Sequence, residues 1–209
     1  MRALLAPLPF ACLAVGVLGF HRLGLDWRRS TLAAAIAWAV WLTALTETLG
    51  AARLLTVAAV ASAWVAATVV SAFILTRVRP ADPPPPNPSP PAPSKAVLWA
   101  LGLAVALVGV AALAGAPTNW DALSYHLPRV MHWIQNASVD HYPTHILRQL
   151  HQAPWSEFAV MHLQLLSGGD RLANTIQWLA LLGTAVGVSV VAEQLGGGPP
   201  AQLLSAVFY

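Results

Sequence analysis

Ala96-Val97-Leu98-Trp99-Ala100-Leu101-Gly102-Leu103-Ala104-Val105-Ala106-Leu107-Val108-Gly109-Val110-Ala111-Ala112-Leu113-Ala114-Gly115-Ala116 is the stretch that decides the fold. It carries no charge over its whole length, and it reaches the roughly 20 residues that a helix needs to cross a hydrocarbon core about 30 Å thick. Comparable apolar runs lie on either side. Ala3–Phe20, Thr31–Leu49 and Leu54–Leu75 precede it, and Leu172–Ala192 follows. Composition agrees: 57% of residues are hydrophobic and 9% charged, with a mean hydropathy of +0.62. An ordinary soluble domain has about 25% charged residues. The predicted fold is all-α, a polytopic array of transmembrane helices.

The ends and minor features fit that class. Arg2 before the first run suggests a signal peptide, but no small-x-small cleavage site follows, so an uncleaved anchor is predicted. A sixth apolar run opens near Ala201 and is cut at Tyr209, which reads as the N-terminal part of a longer protein. Cys12 is the single cysteine, so no disulfide framework exists. The net charge of +3 comes from dispersed basic residues. They read as topology signals and not as a nucleic-acid footprint.

Two interruptions divide the chain into residues 1–79, a linker over 80–95, and a unit from 96 to 209. Pro80 to Ser94 is a proline run predicted to be an extended polyproline II spacer, a plain linker before an SH3-type ligand. Pro117 to Arg171 is a long polar loop with most of the histidines. Arg22, Arg28 and Arg29 follow the first run, and Arg77, Arg79 and Lys95 flank the linker. Both segments are predicted cytoplasmic, which places the loop on the extracytoplasmic side.

Within that loop, Thr118-Asn119-Trp120-Asp121 fits a capping box with Thr118 as N-cap. At 100° per residue, Asp121, Tyr125, Arg129, His132 and Asn136 share roughly a quarter turn of the helix that follows. Pro128 is expected to kink or restart it. A second helix is predicted from Pro154 to about Ser167, stopped by Gly168-Gly169. It is too short to span, and Trp155, Phe158, His162, Leu165 and Leu166 give it one apolar side. That pattern predicts a helix lying in the membrane interface.

The run Asp121-x-x-x-Tyr125-His126-x-Pro128-Arg129-Val130-x-x-Trp133, then Tyr142-Pro143-Thr144, Arg148-Gln149 and Pro154-x-x-Glu157, resembles the first extracytoplasmic module of the GT-C glycosyltransferases, in a bacterial subgroup. The likeness covers about Ala96 to Tyr209. Protein O-mannosyltransferases and the lipid A aminoarabinose transferase belong to this superfamily. The resemblance implies a transferase of the bacterial inner membrane that moves a sugar from a polyprenyl-phosphate donor to a lipid, glycan or protein acceptor. Asp121 matches the family's catalytic base, Tyr125 an aromatic residue four positions on, Pro154 the proline opening the second juxtamembrane helix, and Arg171 the arginine entering the next span. Ala122 and Ala153 depart from the pattern, standing where many relatives carry a second acid and a lysine.

The chemistry implied needs one carboxylate. A polyprenyl phosphate leaves as a stable anion, so only the acceptor hydroxyl requires a base, unlike glycoside hydrolysis with its paired acids. Arg129 and Arg148 are candidate phosphate contacts, and a divalent cation with Asp121 as ligand is the alternative. Tyr125, His126, His132 and Glu157 complete the candidate substrate-binding set.

Plainer readings stand beside these. Asp121 also suits a cap. Glu157 is either a second acid or a charge complementing a helix dipole. Trp120, Trp133 and Trp155 are belt anchors or sugar platforms. His162 is expected at the interface. His141 and His145 have metal-ligand spacing, against which Pro143 argues. A non-enzymatic transporter half or a metal-binding subunit is the competing class.

Overall fold

The computed structural model describes residues 2–81 and 94–208. All regular structure among them is helical. A 3-10 turn, Arg2–Leu5, leads into α1 (Leu8–Arg22), α2 (Trp27–Ala51) and α3 (Val57–Arg77). After the linker come α4 (Lys95–Ala114), α5 (Leu127–Asn136), the single turn α6 (Arg148–His151), α7 (Trp155–Ser167), α8 (Asn174–Gln194) and α9 (Pro199–Val207). The polyproline II reading of Pro80 to Ser94 falls mainly on residues 82–93, outside the described residues, as does Tyr209.

Five helices are long and apolar enough to cross a membrane: Ala3–Arg22, α2, α3, α4 and α8. At most 22% of the apolar window of any of them is fully buried inside the protein, so most of their residues keep some apolar surface exposed, as helices bordering lipid do. The chain is a multi-pass helical membrane protein, and the five runs read from hydropathy are these helices to within a few residues. Polar punctuation sets their starts. The Asp26 carboxylate accepts from the backbone N–H of Arg28 (2.9 Å) and Arg29 (3.2 Å) to cap α2, and the Thr56 hydroxyl accepts from Ala59 (3.3 Å) to cap α3.

The ends of the spans sort onto two sides. Arg28 and Arg29 both reach Glu193 at the end of α8, at 2.9 and 3.0 Å. Arg28 also donates to Gln202 of α9 at 2.8 Å, and the Arg22 carbonyl accepts from Ala81 at 2.9 Å. The two basic segments and the α8–α9 turn therefore share one end, and the loop containing α5 to α7 lies at the other. Cysteine placed at Leu195 and at His145, both exposed, is expected to react with an impermeant maleimide from opposite sides. Labelling of both in intact cells would contradict this arrangement.

α1, α2 and α3 pack as one bundle, and α8 packs between α2 and α4. The indole of Trp178 lies on Gly109 of α4 and donates to the Val105 carbonyl at 3.0 Å. A Cβ at Gly109 would come within 2.8 Å of that ring, so the close approach requires glycine. Trp38 of α2 donates to the Pro9 carbonyl in the first turn of α1 at 2.8 Å. α2 thus continues about three turns past the start of α1. α7 fills the space this leaves, packed against the Arg2–Leu5 turn, α2, α3, α5 and α8.

α7 is more enclosed than its sequence pattern predicts. Phe158, Ala159, Met161, Leu163, Leu165 and Leu166 are all buried, and so are Glu157, His162 and Gln164. A one-sided interfacial helix would leave its polar residues in water. Here Glu157 and His162 find partners on other elements, while Gln164 Nε2 is buried without one among the described residues. Instead of lying at the interface, His162 is only 1% exposed. The Trp64 indole N–H donates to its Nδ1 at 3.0 Å. Its proton therefore sits on Nε2, 3.0 Å from the Thr46 hydroxyl oxygen, and that hydroxyl donates to the Leu42 carbonyl at 2.8 Å.

Burial pushes the His162 imidazole down to about 3. An unfolded imidazole titrates near 6.5, above the folded value. The folded state is therefore fully stable above about pH 6.5 and loses stability as pH falls toward 3, by roughly 2 kcal/mol at pH 5. Thermal unfolding in detergent at neutral and at mildly acid pH measures this slope. His162→Leu is expected to flatten the slope between pH 7 and 5, and an unchanged slope would contradict the assignment.

Candidate functional site

The helix leading into α5 begins one residue later than the capping box predicts. The cap is Asn119, whose side-chain oxygen accepts from Ala122 N–H at 2.7 Å. This leaves the Asp121 carboxylate with no capping bond. The first turns wind as a π-helical segment, Ala122–His126, before α5 proper. Pro128 supplies the reason. It cannot donate to the Ser124 carbonyl four residues back, and its ring crowds that carbonyl. Wider turns relieve the crowding, and the freed oxygen accepts from Gln149 Nε2 at 3.1 Å.

The wider turns also break up the polar stripe drawn at 100° per residue. Asp121 and Asn136 are exposed, whereas Tyr125 and Arg129 are buried. Buried Gln149 ties the loop together, because its Oε1 accepts from the hydroxyls of Tyr142 (2.9 Å) and Thr144 (3.1 Å). His132 stacks on the Tyr142 ring with centroids 3.4 Å apart.

Glu157, in the first turn of α7, organises the centre of the site. Its Oε1 accepts from Arg129 Nη2 and is hydrogen-bonded to His126 Nδ1. Its Oε2 accepts from the Ser156 hydroxyl at 3.0 Å. Glu157 and Arg129 are each 2% exposed. Arg129 Nη1 donates to the carbonyls of Gln152 (2.8 Å) and Gln149 (3.3 Å), and its guanidinium lies 5.1 Å from the Trp133 ring centre. Burial raises the Glu157 carboxyl, but the hydrogen bonds from His126 and Arg129 and the charge of Arg129 outweigh it and hold the group below the usual carboxylate range.

Beside this cluster is a cavity of about 580 Å³. Trp120, Asp121, His126 and Glu157 line it from one side, and Asn174 and Gln177 from the start of α8. Leu127, Val130, Val160 and Ile176 give it an apolar wall. Arg148 stands 4.0 Å from Asp121, with both side chains 60% exposed, and its guanidinium lies 5.8 Å from the Tyr125 ring centre. Burial and the neighbouring Asp121 carboxylate push the Tyr125 hydroxyl above its usual value.

The structure thus gathers Asp121, His126 and Glu157 on one cavity, with Tyr125 and Arg148 beside Asp121 outside its lining. Arg129 faces Glu157 and the loop carbonyls, lining a neighbouring cavity of about 440 Å³. His132 sits apart on Tyr142. Asn174 and Gln177 were not singled out from the sequence. The available signal was two polar residues three apart at the mouth of an otherwise apolar span.

Around Asp121, a metal site is not formed by the side chains present. Among the described residues no three His, Cys, Asp or Glu side chains converge, and exposed His141 and His145 are no exception. The nearest charged partner of Asp121 is the Arg148 guanidinium. No family model, curated protein or solved structure matches the chain.

Proposed function

We propose that this cavity is the sugar-transfer site of a membrane glycosyltransferase of GT-C type, working in the bacterial inner membrane with a polyprenyl-phosphate sugar as donor. The observation that carries the reading is one wall shared by a solvated carboxylate, Asp121, and an apolar strip of Leu127, Val130, Val160 and Ile176. A lipid-linked sugar has that mixed character. Asp121 takes the proton of the acceptor hydroxyl as its oxygen attacks the anomeric carbon. The bond to the phosphate breaks, and its electron pair leaves with the polyprenyl phosphate. Arg148 stands 4.0 Å from Asp121 at the rim, outside the cavity lining. Asn174 and Gln177 offer amide donors and acceptors to sugar hydroxyls.

Glu157 belongs to the buried ion pair in this reading and is not a second acid. Membranes carrying the natural protein, given a panel of radiolabelled polyprenyl-phosphate sugars, test the proposal. Transfer of label from at least one donor into an acceptor fraction is expected. Absence of transfer from every donor by folded protein would remove it.

A further inference from the structure

The charged groups on the cavity wall pose an electrostatic question. Among the described residues lining it, only Asp121, Glu157 and His126 can carry charge. Two of these are carboxylates, which repel an incoming phosphate. Glu157 is neutralised by Arg129, and Arg129 has no reach into the cavity, because its terminal nitrogens are engaged with Glu157, Gln149 and Gln152. Arg148 stands outside the lining, beside Asp121. His126 is the lining residue left to offer positive charge. Its Nδ1 is fixed on Glu157, no hydrogen bond to another described residue occupies Nε2, and its side chain is 37% exposed.

From this arrangement we infer that His126 is the contact for the anionic ester group of the donor, with Glu157 and Arg129 as its positioning residues. The Glu157–Arg129 pair carries no net charge, so a protonated His126 gives the cluster a net positive charge, and a neutral one gives none. Only the imidazolium donates from both ring nitrogens, so with Nδ1 held on Glu157 a contact through Nε2 to an anion uses the protonated ring. Asp121, Ser156, Glu157, Asn174 and Gln177 line the same cavity as His126, and the Tyr125 ring centre lies 4.2 Å from that of His126. The lipid identity of the ligand rests on the transferase reading; the anion chemistry does not.

A prenyl sulfate is a suitable probe, because it joins a fixed negative charge to an apolar chain. Calorimetric titration of the probe onto the natural protein in nanodiscs is expected to give about tenfold or more tighter binding than to His126→Gln. His126→Lys is expected to keep most of the affinity, because it retains a cationic donor. A His126→Gln protein that binds the probe as tightly as the natural one would overturn the assignment. Inorganic sulfate binding as tightly as the prenyl ester would overturn the lipid source. Tight, His126-dependent binding of the prenyl ester without any sugar transfer would uphold the anion site and remove the transferase, so the two readings fail separately.

Discussion

Asp121→Asn is expected to lower sugar transfer by roughly 10²-fold or more while leaving insertion and thermal stability unchanged. The substitution keeps the size of the side chain and removes its charge and basicity. If Asp121 served mainly to start a helix, Asn would replace it at little cost, since Asn is as good a cap. The structure gives that task to Asn119, and the Asp121 side chain is 60% exposed on the cavity rim. Its charged neighbour in the loop is Arg148, and the pair is so exposed that losing it costs little stability. Near-normal turnover by the variant would show that another group takes the acceptor proton.

The largest stability effect is expected at Arg129. Arg129→Ala removes one ion of a pair in which both side chains are 2% exposed, and leaves the buried Glu157 carboxylate with only His126 and Ser156 as partners among the described residues. Breaking such a pair costs about 3–5 kcal/mol. For a domain of this size that corresponds to a fall of roughly 10 °C in the unfolding midpoint. The carbonyls of Gln149 and Gln152 also lose their donor. Replacing both ions together, with Arg129→Met and Glu157→Leu, is expected to recover most of the loss, because no charge is then buried alone. A single Arg129→Ala variant that melts with the wild type would show that the pair is not buried in the membrane-embedded protein.

The two ends of this account were not equally legible in the sequence. Transmembrane helices announce themselves through composition alone, and Asp26, Thr56 and Gly168 mark boundaries by local chemistry. A disturbance of the helix at Pro128 was legible for the same reason, since a missing N–H acts on its own helix, and it takes the form of the π-helical segment Ala122–His126. What the residue pattern could not reveal depends on partners far along the chain. His162 looked like an interfacial side chain because its neighbours in sequence are apolar. Its actual partners, Trp64 and Thr46, lie 98 and 116 positions away on two spans. The single face drawn through Asp121, Tyr125 and Arg129 assumed 100° per residue, and the π-helical turns change that angle. Glu157 stood open between an acid and a dipole charge because its partners, His126 and Arg129, lie 31 and 28 positions before it on another element. The choice between Thr118 and Asn119 as cap turned on one residue of register, which a capping pattern does not resolve.

The most direct measurement is photolabelling. A polyprenyl-phosphate sugar carrying a diazirine on its sugar would be irradiated with the natural protein in membranes, and the adducts mapped by peptide sequencing. The account predicts label on the segment from Trp120 to Val130 and around Asn174 and Gln177, abolished by excess unlabelled donor. Label confined to the lipid-facing surfaces of α4 and α8, and undiminished by that competitor, would contradict it.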